Sequence, residues 1–220
     1  GIRLSIIGDL KILCCSLFDC SEITRKLKPR KEPIYVPLVL GNTYEYNQIF
    51  KSREENLIDI DHSQRVIKFI SYGNIYDRRE IPFLLEALNH LSNNSDIKCE
   101  LKLIGEDATS NSNIDSLCKG YNYKIDRYNY IEKSELYELL KESDIGICLS
   151  SQDGTSFILL EYALSGVPVI TTPLMSKELN DHCIKVNTSF DLEEFKLSLL
   201  KYIRLSSRKK FENIKSARNY

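Results

Sequence analysis

The chain has 220 residues, of which 42% are hydrophobic and 28% charged, so it can bury one substantial core and lacks the composition of a disordered chain. Its 30 Lys and Arg residues against 31 Asp and Glu residues give a formal net charge of -1, which excludes a chain-wide electrostatic attraction to nucleic acid or anionic lipid. No apolar run approaches the roughly 18 to 20 residues that cross a bilayer, and none resembles a signal peptide, so we expect a cytoplasmic protein.

The first 65 residues contain few predicted elements. Strands are predicted at residues 12–15 and 34–40, with a helix over 19–27 between them. Residues 42–61 are polar and charged, which indicates a linker or a surface excursion. The basic cluster of this segment could touch lipid headgroups at the inner face of a membrane, although we favour a solvated loop; it consists of Arg25, Lys26, Lys28, Arg30 and Lys31.

From residue 66 onward, short apolar runs alternate with amphipathic stretches. Strands are predicted at residues 66–71, 100–104, 121–125, 144–149, 167–170 and 182–186. Helices are predicted to begin at Ile81, at Asn113, at Ser134, at Phe157 and after Asp191, which forms a capping box with Glu194. This alternation predicts an α/β fold, a Rossmann-like open parallel sheet with helices on both faces.

Two nucleotide-binding fingerprints are missing from this predicted sheet. Gly105 is followed by Glu-Asp-Ala rather than by the G-x-G-x-x-G pattern, and no G-x-x-x-x-G-K-[ST] segment occurs. A Rossmann dehydrogenase and a P-loop ATPase are therefore disfavoured. The seven cysteines include no C-x-x-C pair and have no histidines at zinc-finger spacing, so we expect reduced thiols and no metal site.

The most informative segment runs from residue 150 to residue 170. It leaves a predicted strand, passes Gly154 and enters a helix whose N-cap is predicted to be Thr155 or Ser156. Free N–H groups at a helix start can bind a phosphate, and Glu161 lies close enough along the helix to reach a ligand there. Helix geometry alone leaves open the alternative that Glu161 and Ser165 form a narrow solvent-facing stripe.

One ordered series of residues consists of Asp153 with Gly154, a second acid at Glu161, the Gly166-Val-Pro168-Val element, and the earlier segment 71–79 that ends in Arg79. This series resembles the donor-site signature of retaining glycosyltransferases with the GT-B fold, most nearly glycosyltransferase family 4 (group 1). The resemblance covers residues 66 to 203. It implies that residues 66–220 are the C-terminal, nucleotide-sugar-binding half of such an enzyme, and that residues 1–65 are a remnant of the preceding domain plus a linker.

The resemblance also implies roles for individual residues. Asp153 would bind donor-sugar hydroxyls, Glu161 the nucleotide ribose and Arg79 the diphosphate. The other implied donor-binding residues are the N–H donors Gly154, Thr155, Ser156 and Phe157, the strand-end residues Gly73, Asn74 and Arg78, and Tyr130 or Ile131 at the base. Asp153 stands where the family has Glu and Asn74 where it has Arg, with Arg78 able to compensate; for Tyr130 and Ile131, core packing remains an equal alternative.

The resemblance implies a metal-independent, retaining transferase that uses a nucleotide sugar as substrate, needs no cofactor and acts in surface polysaccharide or glycoconjugate synthesis. Its partners would be an acceptor glycan or lipid-linked glycan and the N-terminal GT-B domain, so we expect this chain to be a fragment that binds nucleotide sugar and transfers little alone. The competing interpretation is a degenerate GT-B module that acts as a scaffold or regulatory subunit. A sugar-nucleotide epimerase of the same architecture is a third and weaker alternative.

Overall fold

The structure of the protein is a computed structural model that describes residues 13–14, 25, 34–35, 43–55, 66–109, 113–151, 156–173, 183–186, 190–205, 209–210, 212–213 and 215. The chain divides into two compact units, Gly1–Val39 and Leu40–Tyr220.

The first unit contains two short parallel strands. Strand β1 (Leu13–Cys14) pairs with β2 (Ile34–Tyr35), with Leu13 opposite Ile34. Both lie within predicted strands. The predicted helix between them falls outside the described residues except for Arg25, which is helical and exposed, and the other members of the basic cluster also lie outside.

The second unit alternates strands and helices. In chain order its elements are α1 (Tyr44–Glu55), β3 (Val66–Tyr72), a 3-10 turn (Asp77–Arg79), α2 (Ile81–Asn93), β4 (Lys98–Ile104), α3 (Ile114–Cys118), β5 (Lys124–Tyr128), α4 (Lys133–Glu142), β6 (Ile145–Cys148), α5 (Phe157–Ser165), β7 (Val169–Thr171), β8 (Cys183–Lys185) and α6 (Leu192–Ile203). Among the described residues, no helix is both long and apolar enough to span a membrane.

The strands of the second unit form a six-stranded sheet in the order β5-β4-β3-β6-β7-β8, and every neighbouring pair is parallel. This confirms the predicted parallel α/β sheet. The chain moves outward from β3 to β4 and β5 on one side, and from β6 to β7 and β8 on the other. The strand order therefore reverses between β3 and β6, and in sheets of this kind ligands bind beyond the carboxyl ends of the strands at that reversal.

Both faces of the sheet are covered by helices, as predicted. Adjacent strand residues point to opposite faces, so Phe69 joins one core cluster and Ile70 the other. Helices α2, α3 and α6 cover the first face, where the buried side chains include Leu84, Leu88, Ile114, Phe195 and Leu199. Helices α1, α4 and α5 cover the second face, where they include Tyr46, Ile49, Leu140, Leu159 and Tyr162.

Helix α1 corrects the prediction of a linker across residues 42–61. Tyr46, Ile49 and Phe50 are spaced i, i+3 and i+4, and all three are buried, so this helix has one apolar stripe despite its polar composition. The stripe packs against α4 and α5. Residues 44–55 consequently belong to the same compact unit as the sheet.

Most predicted elements from residue 66 onward are confirmed with small shifts at their ends. Pro82 lies in the first turn of α2, and Gly166 ends α5 with φ of 70°. Asp191 accepts a hydrogen bond from the Glu194 N–H at 2.7 Å, as its predicted capping role requires. The exception is β5, which begins at Lys124 rather than at Tyr121.

Candidate functional site

A hollow lies at the carboxyl ends of β3 and β6, where the strand order reverses. Its walls come from the end of β3 and the turn after it, from the end of β6, and from the start of α2; they include Tyr72, Gly73, Asn74, Arg79, Ile81, Cys148 and Leu149. Three of the predicted site residues, Gly73, Asn74 and Arg79, therefore meet at the place where a ligand of this fold class binds.

The turn after β3 depends on two glycines with positive φ. Gly73 has φ of 103° and Gly105, at the end of β4, has φ of 142°. A Cβ on Gly105 would lie 2.1 Å from the Gly73 carbonyl oxygen, and one on Gly73 would lie 2.6 Å from the Cδ1 atom of Ile158 in α5. The close packing leaves the exposed Asn74 beside the hollow, where its amide donates to the Tyr76 hydroxyl at 3.3 Å.

The two predicted basic residues occupy different environments on the 3-10 turn. Arg79 is half-buried in the wall of the hollow, and its Nη1 donates to the Cys148 Sγ atom at 3.2 Å. Arg78 instead places its guanidinium 4.4 Å from the centre of the Tyr76 ring, while its carbonyl accepts from the Ser151 N–H at 3.1 Å. Of these two arginines, Arg79 is therefore the one that lines the hollow.

Helix α5 begins beside the hollow. Ser156 occupies the N-cap position with extended backbone, but its side chain makes no capping bond, and its Oγ atom lies 3.8 Å from the Cys148 Sγ atom. Phe157, the first helical residue, is 48% exposed. The predicted sugar ligand Asp153 and the predicted N–H donors Gly154 and Thr155 lie outside the described residues.

Glu161 is buried in α5, with 9% of its surface exposed, and is held by three side-chain donors. Its Oε1 accepts hydrogen bonds from the Tyr46 hydroxyl and from the Lys133 ammonium at 2.6 Å, and its Oε2 accepts from the Tyr72 hydroxyl at 2.8 Å. Ser165 is fully buried and donates to the Glu161 carbonyl at 2.7 Å. The alternative in which Glu161 and Ser165 form a solvent-facing stripe is therefore wrong.

The pKa values of the two tyrosines that donate to Glu161 are raised. Burial, followed by the hydrogen bond to Glu161, raises the pKa of Tyr46 far above its usual value, and burial together with the neighbouring Tyr162 does the same to the pKa of Tyr72. Both phenols are consequently O–H donors at neutral pH. Because Tyr72 also lines the hollow, it connects the Glu161 carboxylate to the Arg79 side of the site.

The structure separates the two candidates for the base contact. Tyr130 is 75% exposed, and its hydroxyl donates to Glu132 at 3.2 Å. Ile131 is half-buried and packs against the second core cluster, together with Ile158 and Leu160 of α5. An exposed aromatic ring is able to stack on a base, whereas the Ile131 side chain contributes to the core.

Sequence reasoning missed three of the groups that shape the site, namely Tyr46, Tyr72 and Lys133. Tyr46 lies in the segment interpreted as a linker, although the spacing of Tyr46, Ile49 and Phe50 carried a helical signal. Tyr72 is the last residue of β3 and lies one position beyond the predicted strand. Nothing in the sequence around Lys133 indicates that it contacts Glu161, 28 positions further along the chain.

A family model described as glycosyl transferases group 1 matches residues 66–202, which is more than half of the chain. The chain belongs to this family. The match begins at β3 and ends in α6, so it contains the whole six-stranded sheet and the site at its carboxyl edge. No curated protein matches the chain in sequence.

Solved structures agree with this membership of the group 1 glycosyl transferases at the level of the fold. WaaG, a glycosyltransferase involved in lipopolysaccharide biosynthesis, is 16% identical with a TM-score of 0.67, over 96% of this chain and 58% of that one. HepE of Anabaena, solved with UDP and glucose, is 13% identical with a TM-score of 0.68, over 95% and 57%. A glycosyltransferase of Rickettsia africae is 16% identical with a TM-score of 0.67, over 95% and 57%.

The sheet and its helices match one half of a GT-B fold. The chain spans 58% or less of the length of these three structures.

Proposed function

We propose that this chain is the donor-binding half of a retaining, metal-independent glycosyltransferase that takes a nucleoside-diphosphate sugar. The observation that carries the proposal is the hollow at the reversal of strand order, with the Arg79 guanidinium in its wall and the N-terminus of α5 beside it. Both features attract a diphosphate, since a guanidinium pairs with phosphate oxygens and the first N–H groups of a helix bind anions.

The proposed catalytic roles follow from where charge develops in the reaction. When the bond between the sugar and the diphosphate breaks, negative charge accumulates on the departing nucleotide, and Arg79 would stabilise it without a metal ion. Tyr72 lines the hollow and donates to Glu161, which supports the proposal that Glu161 accepts a ribose hydroxyl. Asp153 would bind the sugar hydroxyls from the loop before α5.

The acceptor side of the reaction is proposed to lie in a second domain. The structures that resemble this chain are longer than it, and one of them is described as acting in lipopolysaccharide biosynthesis. We therefore propose that a glycan or lipid-linked glycan of the cell surface is the acceptor, and that transfer requires the N-terminal half of the GT-B fold. Retention would be tested by the NMR coupling of the anomeric proton in a product made with both halves present.

Calorimetric titration of the chain with UDP, ADP and GDP, and with the corresponding nucleosides, tests the donor site. We expect at least one diphosphate to bind, and we expect Arg79→Met to weaken it about tenfold or more because a charged hydrogen bond to phosphate is lost. Nucleoside affinity should stay unchanged, since the nucleoside does not reach Arg79.

Two further variants make this titration specific. Arg204→Met removes an exposed arginine after α6 and should change nothing, whereas Arg78→Met tests the neighbouring guanidinium that lies over Tyr76. Thermal unfolding verifies that each variant is folded. Failure of every diphosphate to bind, or equal affinity for wild type and Arg79→Met, would contradict the proposal and favour a scaffold role.

A further inference from the structure

The Glu161 carboxylate has most of its acceptor capacity in use before any ligand arrives. An ionised carboxylate offers about four lone-pair positions, two on each oxygen. Among the described residues, the Oε1 atom of Glu161 accepts from Tyr46 and from Lys133, and its Oε2 atom accepts from Tyr72 alone. One position, on Oε2, is left for a further donor.

We infer that Lys133 determines how many ribose hydroxyls of the donor nucleotide can hydrogen-bond to Glu161. Its ammonium occupies the solvent-side position on Glu161 Oε1, which leaves the carboxylate able to accept only one ribose hydroxyl. The inference rests on the proposed function. A free carboxylate would accept both vicinal hydroxyls of a ribose, one on each oxygen. Removing one of the two ribose hydroxyls should therefore weaken nucleotide binding, whereas removing the other should leave the affinity nearly unchanged.

Lys133 is held in this position by more than the ion pair. Its ammonium lies 2.6 Å from Glu161 Oε1, and it sits 5.3 Å from the centre of the Tyr46 ring and 5.7 Å from that of Tyr137, both within reach of a cation–π attraction. The two tyrosine rings contact each other edge to face, with centroids 5.3 Å apart. Lys133, the first residue of α4, thus lies against two aromatic rings that contact each other.

The two donors to Oε1 differ in exposure. This difference indicates that Lys133, rather than Tyr46, keeps a ligand hydroxyl from Oε1. The Tyr46 residue is 2% exposed, so the lone pair that it occupies faces the core and cannot serve a ligand. The Lys133 side chain is 52% exposed, so the position it occupies faces solvent. Removing the lysine should open this position, whereas removing the Tyr46 hydroxyl should not.

The test compares three ligands on four proteins by calorimetry. The ligands are the tightest-binding nucleoside diphosphate and its 2′-deoxy and 3′-deoxy analogues, and the proteins are wild type, Lys133→Met, Tyr46→Phe and Lys141→Met. For wild type we expect one analogue to bind within about threefold of the parent and the other about tenfold or more weaker. For Lys133→Met we expect both analogues to lose about tenfold or more, with the parent binding tighter than to wild type.

The remaining variants are matched controls. Tyr46→Phe loosens Glu161 without removing the ammonium, and Lys141→Met removes an exposed cation from the same helix that pairs with Glu138. As with wild type, we expect both variants to bind one deoxy analogue about as tightly as the parent diphosphate and the other analogue more weakly. Lys133→Ala takes the place of Lys133→Met if the latter unfolds, and Lys133→Arg, which keeps a cation on Oε1, should behave as wild type.

Several outcomes would overturn the inference while the proposed function stands. In the first, wild type binds both deoxy analogues more weakly than the parent diphosphate, or neither of them more weakly. In the second, Lys133→Met still binds only one of the analogues more weakly. In the third, Tyr46→Phe binds both analogues more weakly. Failure of every nucleoside diphosphate to bind to wild type is a different result, since it refutes the proposed function and the inference falls with it.

Discussion

Glu161 should be important for stability apart from any ligand, because its replacement would remove the hydrogen-bond acceptor of two tyrosine hydroxyls. In Glu161→Met the side chain keeps its length but loses both acceptor oxygens, so the Tyr46 hydroxyl, which is buried, and the Tyr72 hydroxyl, which is partly buried, lose the acceptor that Glu161 provides. Each buried donor left unsatisfied costs about 1 to 3 kcal/mol, with the partly buried Tyr72 at the lower end. Lys133 regains water, and its half-exposed ion pair contributes about 1 kcal/mol at most.

The expected loss in the free energy of unfolding is therefore about 2 to 4 kcal/mol for Glu161→Met, a substantial part of the roughly 5 to 15 kcal/mol of a typical domain. The triple variant Glu161→Met, Tyr46→Phe, Tyr72→Phe removes the donors together with the acceptor. Replacing both partners by apolar groups of similar shape is nearly neutral, so the triple variant should recover most of this loss.

Urea unfolding followed by far-ultraviolet circular dichroism measures these differences, since the chain contains no Trp to serve as a fluorescence probe. Glu138→Met is the control, because Glu138 is exposed on α4 and pairs only with Lys141 among the described residues; it should change stability by about 0.5 kcal/mol or less. The reasoning is refuted if Glu161→Met loses less than about 1 kcal/mol, or if the triple variant is as unstable as the single one.

Gly146→Ala should destabilise the protein by about 1 to 3 kcal/mol in the same assay, because the new Cβ would lie 2.4 to 2.6 Å from three carbons of the buried Tyr162 ring; an unchanged midpoint would show that the ring can move aside. Asp107→Asn should cost about 1 kcal/mol at neutral pH, since the Asp107 carboxylate accepts from Thr109 and from the Ile114 N–H. Although desolvation opposes it, these hydrogen bonds hold the pKa of Asp107 below its usual value, so its contribution is present above the unfolded pKa of about 4 and is lost as pH falls through the folded pKa. The difference in the free energy of unfolding between wild type and Asp107→Asn should decrease over that acidic pH range. A difference that stays constant with pH would contradict this account.

The parallel sheet was predictable because its central strands and the helices that cover them have clear apolar periods. In α2, Leu84, Leu88 and Leu91 repeat at helical spacing and all are fully buried. The edge strand β5 was misplaced because none of its residues is buried, so it has no apolar run to detect. The apolar signal belongs to the residues before it, where Tyr123 is buried and its hydroxyl donates to the Leu85 carbonyl at 3.0 Å.

The site was only partly predictable, since its chemistry depends on contacts between elements far apart in sequence. Arg79 and the start of α5 could be placed at the carboxyl edge of the sheet from the order of strands and motifs. That Arg79 rather than Arg78 faces the hollow follows from the 3-10 turn, which sequence periodicity does not reveal. The Tyr46–Glu161 contact spans 115 positions and required the packing of α1 on α5.

This long-range contact would allow Glu161 to serve both stability and the proposed ligand binding. A side chain that a ligand must immobilise loses about 0.5 to 1.5 kcal/mol of rotamer freedom on binding. Tyr46 and Tyr72 already fix Glu161 in the folded protein, so its rotamer freedom is lost on folding rather than on binding. The remaining acceptor position is therefore oriented before a nucleotide would bind. Substituting Glu161 would therefore change folding and the proposed binding together, whereas Lys133, whose half-exposed ion pair contributes about 1 kcal/mol at most, could be altered with a smaller effect on folding.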